Sequence, residues 1–211
     1  MVLPNVRRST RMVKLFCLTI LYKRYDGKVQ KFASGSELAS FGYFQRNSVQ
    51  EFMDFTSKII AERTQTCSRE TVKEQEYLCH VYVRSDNLCG VLISDHDYPT
   101  RVGFTLINKA LDEFANKFPS ETWTSLTDRS SQFPYCLEVL QKYQDPKKAD
   151  PMMRLQEDLD ETKIILHNTI EAVLERGEKL DDLVEKSEGL SLQSKTFYKT
   201  AKKTNSCCVI L

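Results

Sequence analysis

The sequence predicts an α+β domain, an antiparallel sheet with helices packed on it, followed by one long coiled-coil helix. Three observations predict it. Two pairs of β-rich runs are each broken by a tight-turn signal, at Asp26-Gly27 and at Ser85-Asp86-Asn87. Between and after them, apolar residues recur at helical spacing. Beyond a polar linker the chain switches to an a/d heptad register, with no proline from Met152 to Thr204.

Val13 to Tyr22 (VKLFCLTILY) reads as the first strand, with Lys28 to Phe32 as its hairpin partner. Ser48, with Glu51 three residues on, is a capping-box pattern that opens a helix. Val49, Phe52, Met53, Thr56, Ile59 and Ile60 give that helix one core face. Thr71 to Gln75 adds a strand before the pair Glu76 to Arg84 (EYLCHVYVR) and Leu88 to Ser94 (LCGVLIS). Pro99 starts a second helix, with Leu106, Ala110, Leu111, Phe114 and Phe118 as its stripe. A shorter helix follows Pro134 and carries Leu137, Leu140 and Tyr143. Hairpins with helices segregated around them point to α+β rather than to a doubly wound sheet.

From Met152 the seam runs Leu155, Leu159, Thr162, Leu166, Thr169, Val173, Arg176, Leu180, Leu183, Ser187, Leu190, Ser194, Phe197, Ala201 and Thr204. Alternating steps of three and four over this length are the signature of a coiled coil, roughly 80 Å long if fully helical. The seam is weak, because threonine, serine and arginine stand where a self-pairing zipper carries Leu or Ile. Gly177 and Gly189 each lower helix propensity by about 1 kcal/mol relative to Ala. Such a segment folds when partners bury its seam. Arg176 at a seam position needs acceptors from facing helices, and neutral carbonyl oxygens satisfy it without a carboxylate. A lone polar seam residue of this kind fixes register and partner number.

Composition excludes other classes. Thirty basic against 29 acidic residues in 211 leave +1, with no excess to drive nucleic-acid binding. No run approaches 18 apolar residues, and the first eleven residues lack an apolar signal core, so the chain is expected to be soluble as synthesised. Seven cysteines, an odd number, predict free thiols in a reducing compartment, with Cys17, Cys79 and Cys89 as small core hydrophobes. His80, His96 and His167 are too scattered for a metal site, and Asp95-His96-Asp97 reads as a turn into a helix. No phosphate-binding loop or nucleophile elbow occurs. The expectation is a non-enzyme with neither metal nor cofactor.

The string VLERGEKLDDLVEKS resembles the SNARE motif of R-SNAREs, the synaptobrevin class, with Arg176 as the zero-layer arginine. DETKIILHNTIEAVLERGEKLDDL, FYKTAKK and the Cys-Cys ending resemble its prenylated branch. The helix SVQEFMDF and the string YLCHVYVR are similar to the longin domain of that branch. The resemblance implies a five-stranded, profilin-like antiparallel sheet with one helix on one face and two on the other. It implies glutamine-bearing Q-SNARE helices as partners in a four-helix bundle. MVLPNVRRSTR extends beyond the family's usual start, so Met1 and Met12 both stand as candidate initiators. The organisation expected is an extension (1–11), a longin domain (12–144), a linker (145–151), an R-SNARE motif (152–204) and a lipidation motif (205–211).

Cys208-Val209-Ile210-Leu211 satisfies the prenylation pattern. A terminal Leu favours geranylgeranyl whereas the resemblance implies farnesyl, so the isoprenoid stays open. One chain attaches only reversibly, and Cys207 is the candidate for a second lipid, palmitoyl or prenyl. From Gly189 onward there are four lysines and no acidic residue, suited to an anionic leaflet. A prenylated cytosolic chain must also hide its lipid. Phe55, at the edge of the first helix's stripe, is the candidate groove residue with Phe52 and Ile59, and the resemblance implies closure by the SNARE segment. Ser187 and Ser194, on the seam, are candidate phosphorylation switches. The expected function is vesicle-membrane fusion on the cytosolic face of Golgi, ER-derived, endosomal or vacuolar membranes. The alternative is a lipidated longin adaptor that recruits partners without driving fusion.

Overall fold

In the computed structural model, residues 14–74, 76–128, 132–145 and 163–207 are described, with side chains to residue 203. The sequence-based expectations for 1–11, for most of the linker, for Leu155 and Leu159 and for Cys208 lie outside them.

Strands β1 (Leu15–Lys23) and β2 (Val29–Ser36) pair antiparallel across the Asp26-Gly27 turn. Gly27 takes φ +81°, open to glycine at no steric cost, and the Asp26 carboxylate accepts from Lys28 N–H at 3.1 Å. Helix α1 (Arg46–Arg63) follows, then β3 (Arg69–Glu74), β4 (Tyr77–Val83) and β5 (Leu88–Asp95). Helices α2 (Thr100–Lys117) and α3 (Tyr135–Lys142) complete the first domain, each opening immediately after a proline.

The sheet has six strands rather than five, ordered β2-β1-β5-β4-β3-β6. The sixth, β6 (Ile164–His167), comes from the heptad segment and lies parallel to β3, Arg69 opposite Ile164 and Val72 opposite His167. Two cores flank the sheet. On one face Leu18, Ile20 and Leu92 pack against Leu106, Leu111 and Phe114 of α2 and Leu140 of α3. On the other Cys17, Val81, Val91 and Ile93 pack against Val49, Met53 and Ile60 of α1. One helix on one face and two on the other is the layering that the resemblance implied.

Three local expectations change. Helix α1 begins at Arg46, after a 3₁₀ turn at Tyr43–Gln45, so Ser48 is buried in its first turn and caps nothing. Glu51 is then too far along the helix to reach the cap. On α3 the inward residues are Cys136, Val139, Leu140 and Tyr143, leaving Leu137 38% exposed. Residues 163–207 do not form one helix. They run as β6, a 3₁₀ turn at Ile170–Val173, a tight turn, helix α4 (Leu180–Lys186) and helix α5 (Leu192–Cys207). A heptad seam gains its free energy from facing helices. Without them, the segment buries its apolar groups on the domain beside it.

A segment folded over an apolar face

The heptad segment covers the face of the first domain that carries α1. Ile170, Leu180, Val184 and Leu190 are all buried there, with Val173, Leu183, Phe197 and Tyr198 partly so. Burying each aliphatic contributes roughly 1.5–3 kcal/mol. The ring of Tyr198 stacks on Phe52 at 5.2 Å, and Phe52 tilts against Phe55 at 6.2 Å. Between the layers lies a cavity of about 330 Å³. The first domain lines it with Val49, Phe52, Met53 and Ile93, the segment with Ile170, Leu180, Phe197 and Ala201.

Carboxylates of the first domain hold the rim. Glu70 meets His167 Nε2 at 2.9 Å, and Glu74 accepts from the Ile170 N–H at 3.1 Å. Glu51, expected to cap its own helix, instead holds the start of α5. It accepts from Ser191 N–H at 2.9 Å and from the Ser194 hydroxyl at 2.7 Å. Ser191 Oγ accepts from the Ser194 N–H at 3.2 Å, the N-cap bond of α5. The Ser191 N–H, and then the serine hydroxyls, hold the Glu51 carboxyl below the usual range, and a fixed anion at a helix N-terminus is favourable. Arg63, ending α1, makes 2.9 Å hydrogen bonds to both carboxylate oxygens of Glu178. Ion pairs between exposed side chains contribute about 0–1 kcal/mol each, so apolar burial carries the closure and the charges set its register.

Within the segment three lysines are engaged, and Lys195 donates to the Glu185 carbonyl at 2.8 Å. Lys199 meets Glu185 at 2.7 Å, and Asp181 takes Lys202 and the Tyr198 hydroxyl. Three of the four lysines expected to lean on an anionic leaflet, Lys195, Lys199 and Lys202, are thus turned toward α4.

The seam expectation divides. Leu180, Leu190 and Ser194 are buried, Val173, Leu183, Ser187 and Phe197 half-buried, and Leu166 is 64% exposed on β6. Arg176 is exposed, in the turn between the 3₁₀ turn and α4. Of the three groove residues, Phe52 lines the cavity, Phe55 packs on Phe52, and Ile59 is buried in the same cluster. Sequence reasoning missed Ile170, Val184 and Tyr198, which are off the seam, and the anchors Glu51, Arg63, Glu70 and Glu74. Apolar residues off a heptad seam were the available signal.

The histidines of the first domain have structural surroundings. His80 is fully buried, bonded to Thr71 Oγ1 at 3.0 Å, and burial pushes its pKa down to about 4. His96 sits in the turn before α2, 3.2 Å from Asp97 and 3.4 Å from Glu76. Burial likewise pushes the Cys17, Cys79 and Cys89 thiols up to about 12, which leaves them inert core groups.

Comparison with known proteins places this architecture. The longin family model, a regulated-SNARE-like domain, matches residues 38–139, and the synaptobrevin model matches residues 151–209. The Synaptobrevin homolog ykt6 of Schizosaccharomyces pombe is 54% identical over 199 residues, covering 94% of this chain and all of the relative. Its namesakes in Candida glabrata and Eremothecium gossypii are 50% and 49% identical, covering 88% and 94% of this chain and 92% and 100% of theirs. The chain belongs to the longin-bearing synaptobrevin family. It is an R-SNARE of vesicle-membrane fusion, and its family membership supports interaction with other SNARE helices. In this longin R-SNARE, therefore, the segment folded over α1 is the SNARE motif itself. No helix among the described residues is long and apolar enough to cross a membrane.

Proposed function

We propose that the chain is a reversible, lipid-anchored R-SNARE whose longin domain holds its own SNARE segment closed, with the lipid sheltered, until Q-SNARE helices take the segment. One observation carries this reading. The residues that bind partner helices in the open form are divided here between burial on α1 and exposure at the rim. Leu166 and Arg176 stand outside, while Leu180, Leu190 and Ser194 are covered. Partner helices would engage the exposed edge strand β6 first, and zippering would then peel α4 and α5 from α1 toward the lipid. The apolar cavity suits one hydrocarbon chain, supplied by a prenyl group on Cys208 and aided by a second lipid on Cys207. In this role the chain performs no chemistry of its own and cycles between cytosol and Golgi, ER-derived, endosomal or vacuolar membranes.

The test is assembly with three glutamine-bearing Q-SNARE helices. Arg176→Ala leaves the closed form intact, because the side chain is exposed there. In the bundle it strips the partners' amides of a shared donor in a dry layer, a loss of roughly 1–3 kcal/mol. Arg176→Gln, offset by a Gln-to-Arg change in one partner, should recover much of that. Unchanged bundle melting for Arg176→Ala would remove the zero-layer assignment, and a stable self-dimer that ignores Q-SNARE helices would favour the adaptor reading.

Ser194 extends this reading to regulation. Its hydroxyl donates into Glu51, and it is 1% exposed. An anion at this position faces a carboxylate with little water between them, so Ser194→Asp should release α5 from α1. It should also slow late zippering, because the same position is a seam layer in the bundle. Ser187, half-buried at the end of α4, should respond less. Limited proteolysis of residues 187–203 checks the first effect. Wild-type resistance in Ser194→Asp would refute it.

A further inference from the structure

Residues Glu175–Glu178 form the sharpest break in the closed SNARE segment. The Glu178 N–H donates to the Glu175 carbonyl at 2.9 Å, and Gly177 takes φ +91°. Arg176 is on the negative side of φ, so this is the pattern of a type II turn, which demands positive φ at its third residue. The turn is pinned from outside by Arg63, bonded through both carboxylate oxygens of Glu178, and from inside by the Glu175 N–H donating to that same carboxylate at 3.0 Å. A Cβ added to Gly177 would meet nothing within 4 Å, so backbone conformation alone, not space, requires glycine here.

In a SNARE bundle the same residue must be helical, near φ −63°. Gly177 therefore swings through about 150° between the two forms. In the turn it is unstrained. In the helix it is the weakest residue apart from proline. The two preferences act in one direction. We infer that Gly177 is a conformational bias in the SNARE segment, favouring the closed form at the position next to the zero layer and slowing zippering through that layer until partner contacts outweigh it. The inference rests on the proposed exchange between closed chain and bundle, and it assigns the control of that exchange to one backbone dihedral.

Gly189 supplies the control. It lies in the same segment and carries the same helix penalty, but it takes no positive φ, and an added Cβ would make only an ordinary 3.7 Å contact with Ser187. In the full chain, Gly177→Ala should raise opening about three- to thirtyfold, because an L side chain is strained at that φ. It should shift the closed-to-bundle balance about ten- to hundredfold, since Ala also gains in the helix. Gly189→Ala should leave opening unchanged or reduce it a few-fold, since Ala there only restricts the open chain. Gly177→Asn, which tolerates positive φ, should stay near wild type.

The experiment is amide hydrogen exchange across residues 164–203 in each full-length variant, alone and then with three Q-SNARE helices. Faster exchange for Gly177→Ala than for wild type and Gly189→Ala, measured without partners, supports the bias. Exchange equal to wild type, or an equal response at both glycines, overturns it. If Gly177→Ala opens and yet no bundle forms with the Q-SNARE helices, the bias toward the closed form stands, while the proposed exchange with those helices, and with it the effect on zippering, falls.

Discussion

Cys208→Ser should move the protein from membranes to the soluble fraction almost completely. A prenyl chain on Cys208 would supply about 0.8 kcal/mol for each buried CH₂, and the described residues contain no helix long and apolar enough to span a bilayer in its place. Two of the four lysines near the C-terminus, Lys199 and Lys202, are paired with Glu185 and Asp181 in the closed form, and a few exposed charges do not replace a hydrocarbon chain as an anchor. Cys207→Ser should behave differently. One remaining chain gives marginal, reversible binding, so this variant should wash off membranes that retain wild type. Fractionation with and without a salt wash separates the two outcomes, and mass spectrometry of the mature C-terminus identifies the lipids. Firm membrane association of Cys208→Ser would end the lipid-anchor reading.

Phe52→Glu should open the molecule. Phe52 stacks on Tyr198 and lines the cavity, so the substitution removes an aromatic contact of about 0.5–1.5 kcal/mol and places a carboxylate in an apolar layer. Together these should shift the closed-to-open balance by at least about a hundredfold. Phe55→Glu should act in the same direction, because Phe55 holds Phe52 from the side. The longin domain itself should survive, since neither ring belongs to its fully buried core. Expected results are a larger hydrodynamic radius, rapid cleavage within residues 163–203 and stronger membrane partition of the prenylated form. Identical radius and cleavage pattern in wild type and Phe52→Glu would show that the segment does not close over this face.

Much of this was readable from residue order. Strand pairs, the stripes of α1 and α2 and the turn at Gly27 follow from local patterns that no distant partner overrides. Arg176 stands apart: on a heptad seam an arginine conflicts with burial unless partners supply acceptors, and in the closed chain it is exposed in a turn, so its place in a bundle is what Arg176→Ala tests. The fold-back was not legible. A heptad pattern states what a segment does when helices face it, and it is silent on where the segment rests alone. Val184 and Ile170 take over from part of the seam because α4 and the 3₁₀ turn present a different face to α1 than the seam does. Glu51 shows the same limit at one residue. Its spacing from Ser48 fits a capping box, but α1 starts two residues before Ser48, and the carboxylate is free to cap a helix about 140 residues away. Leu137 faces solvent because the inward arc of so short a helix is filled by Cys136, Val139, Leu140 and Tyr143.

The central claim is that residues 163–203 exchange one set of partners, the α1 face, for another, three SNARE helices. Amide hydrogen exchange on wild type before and after adding those helices tests it most directly. Alone, β6, α4 and α5 should be protected, with the bonded amides of Glu175, Glu178 and Ser191, while Arg176, Gly177, Glu188 and Gly189 exchange quickly. In the bundle, protection should become continuous through both breaks, and the α1 side chains that the segment covers, Phe52 and Phe55, should become accessible to covalent labelling. A segment 163–203 unprotected in the free chain, or breaks that persist in the presence of the helices, would contradict it.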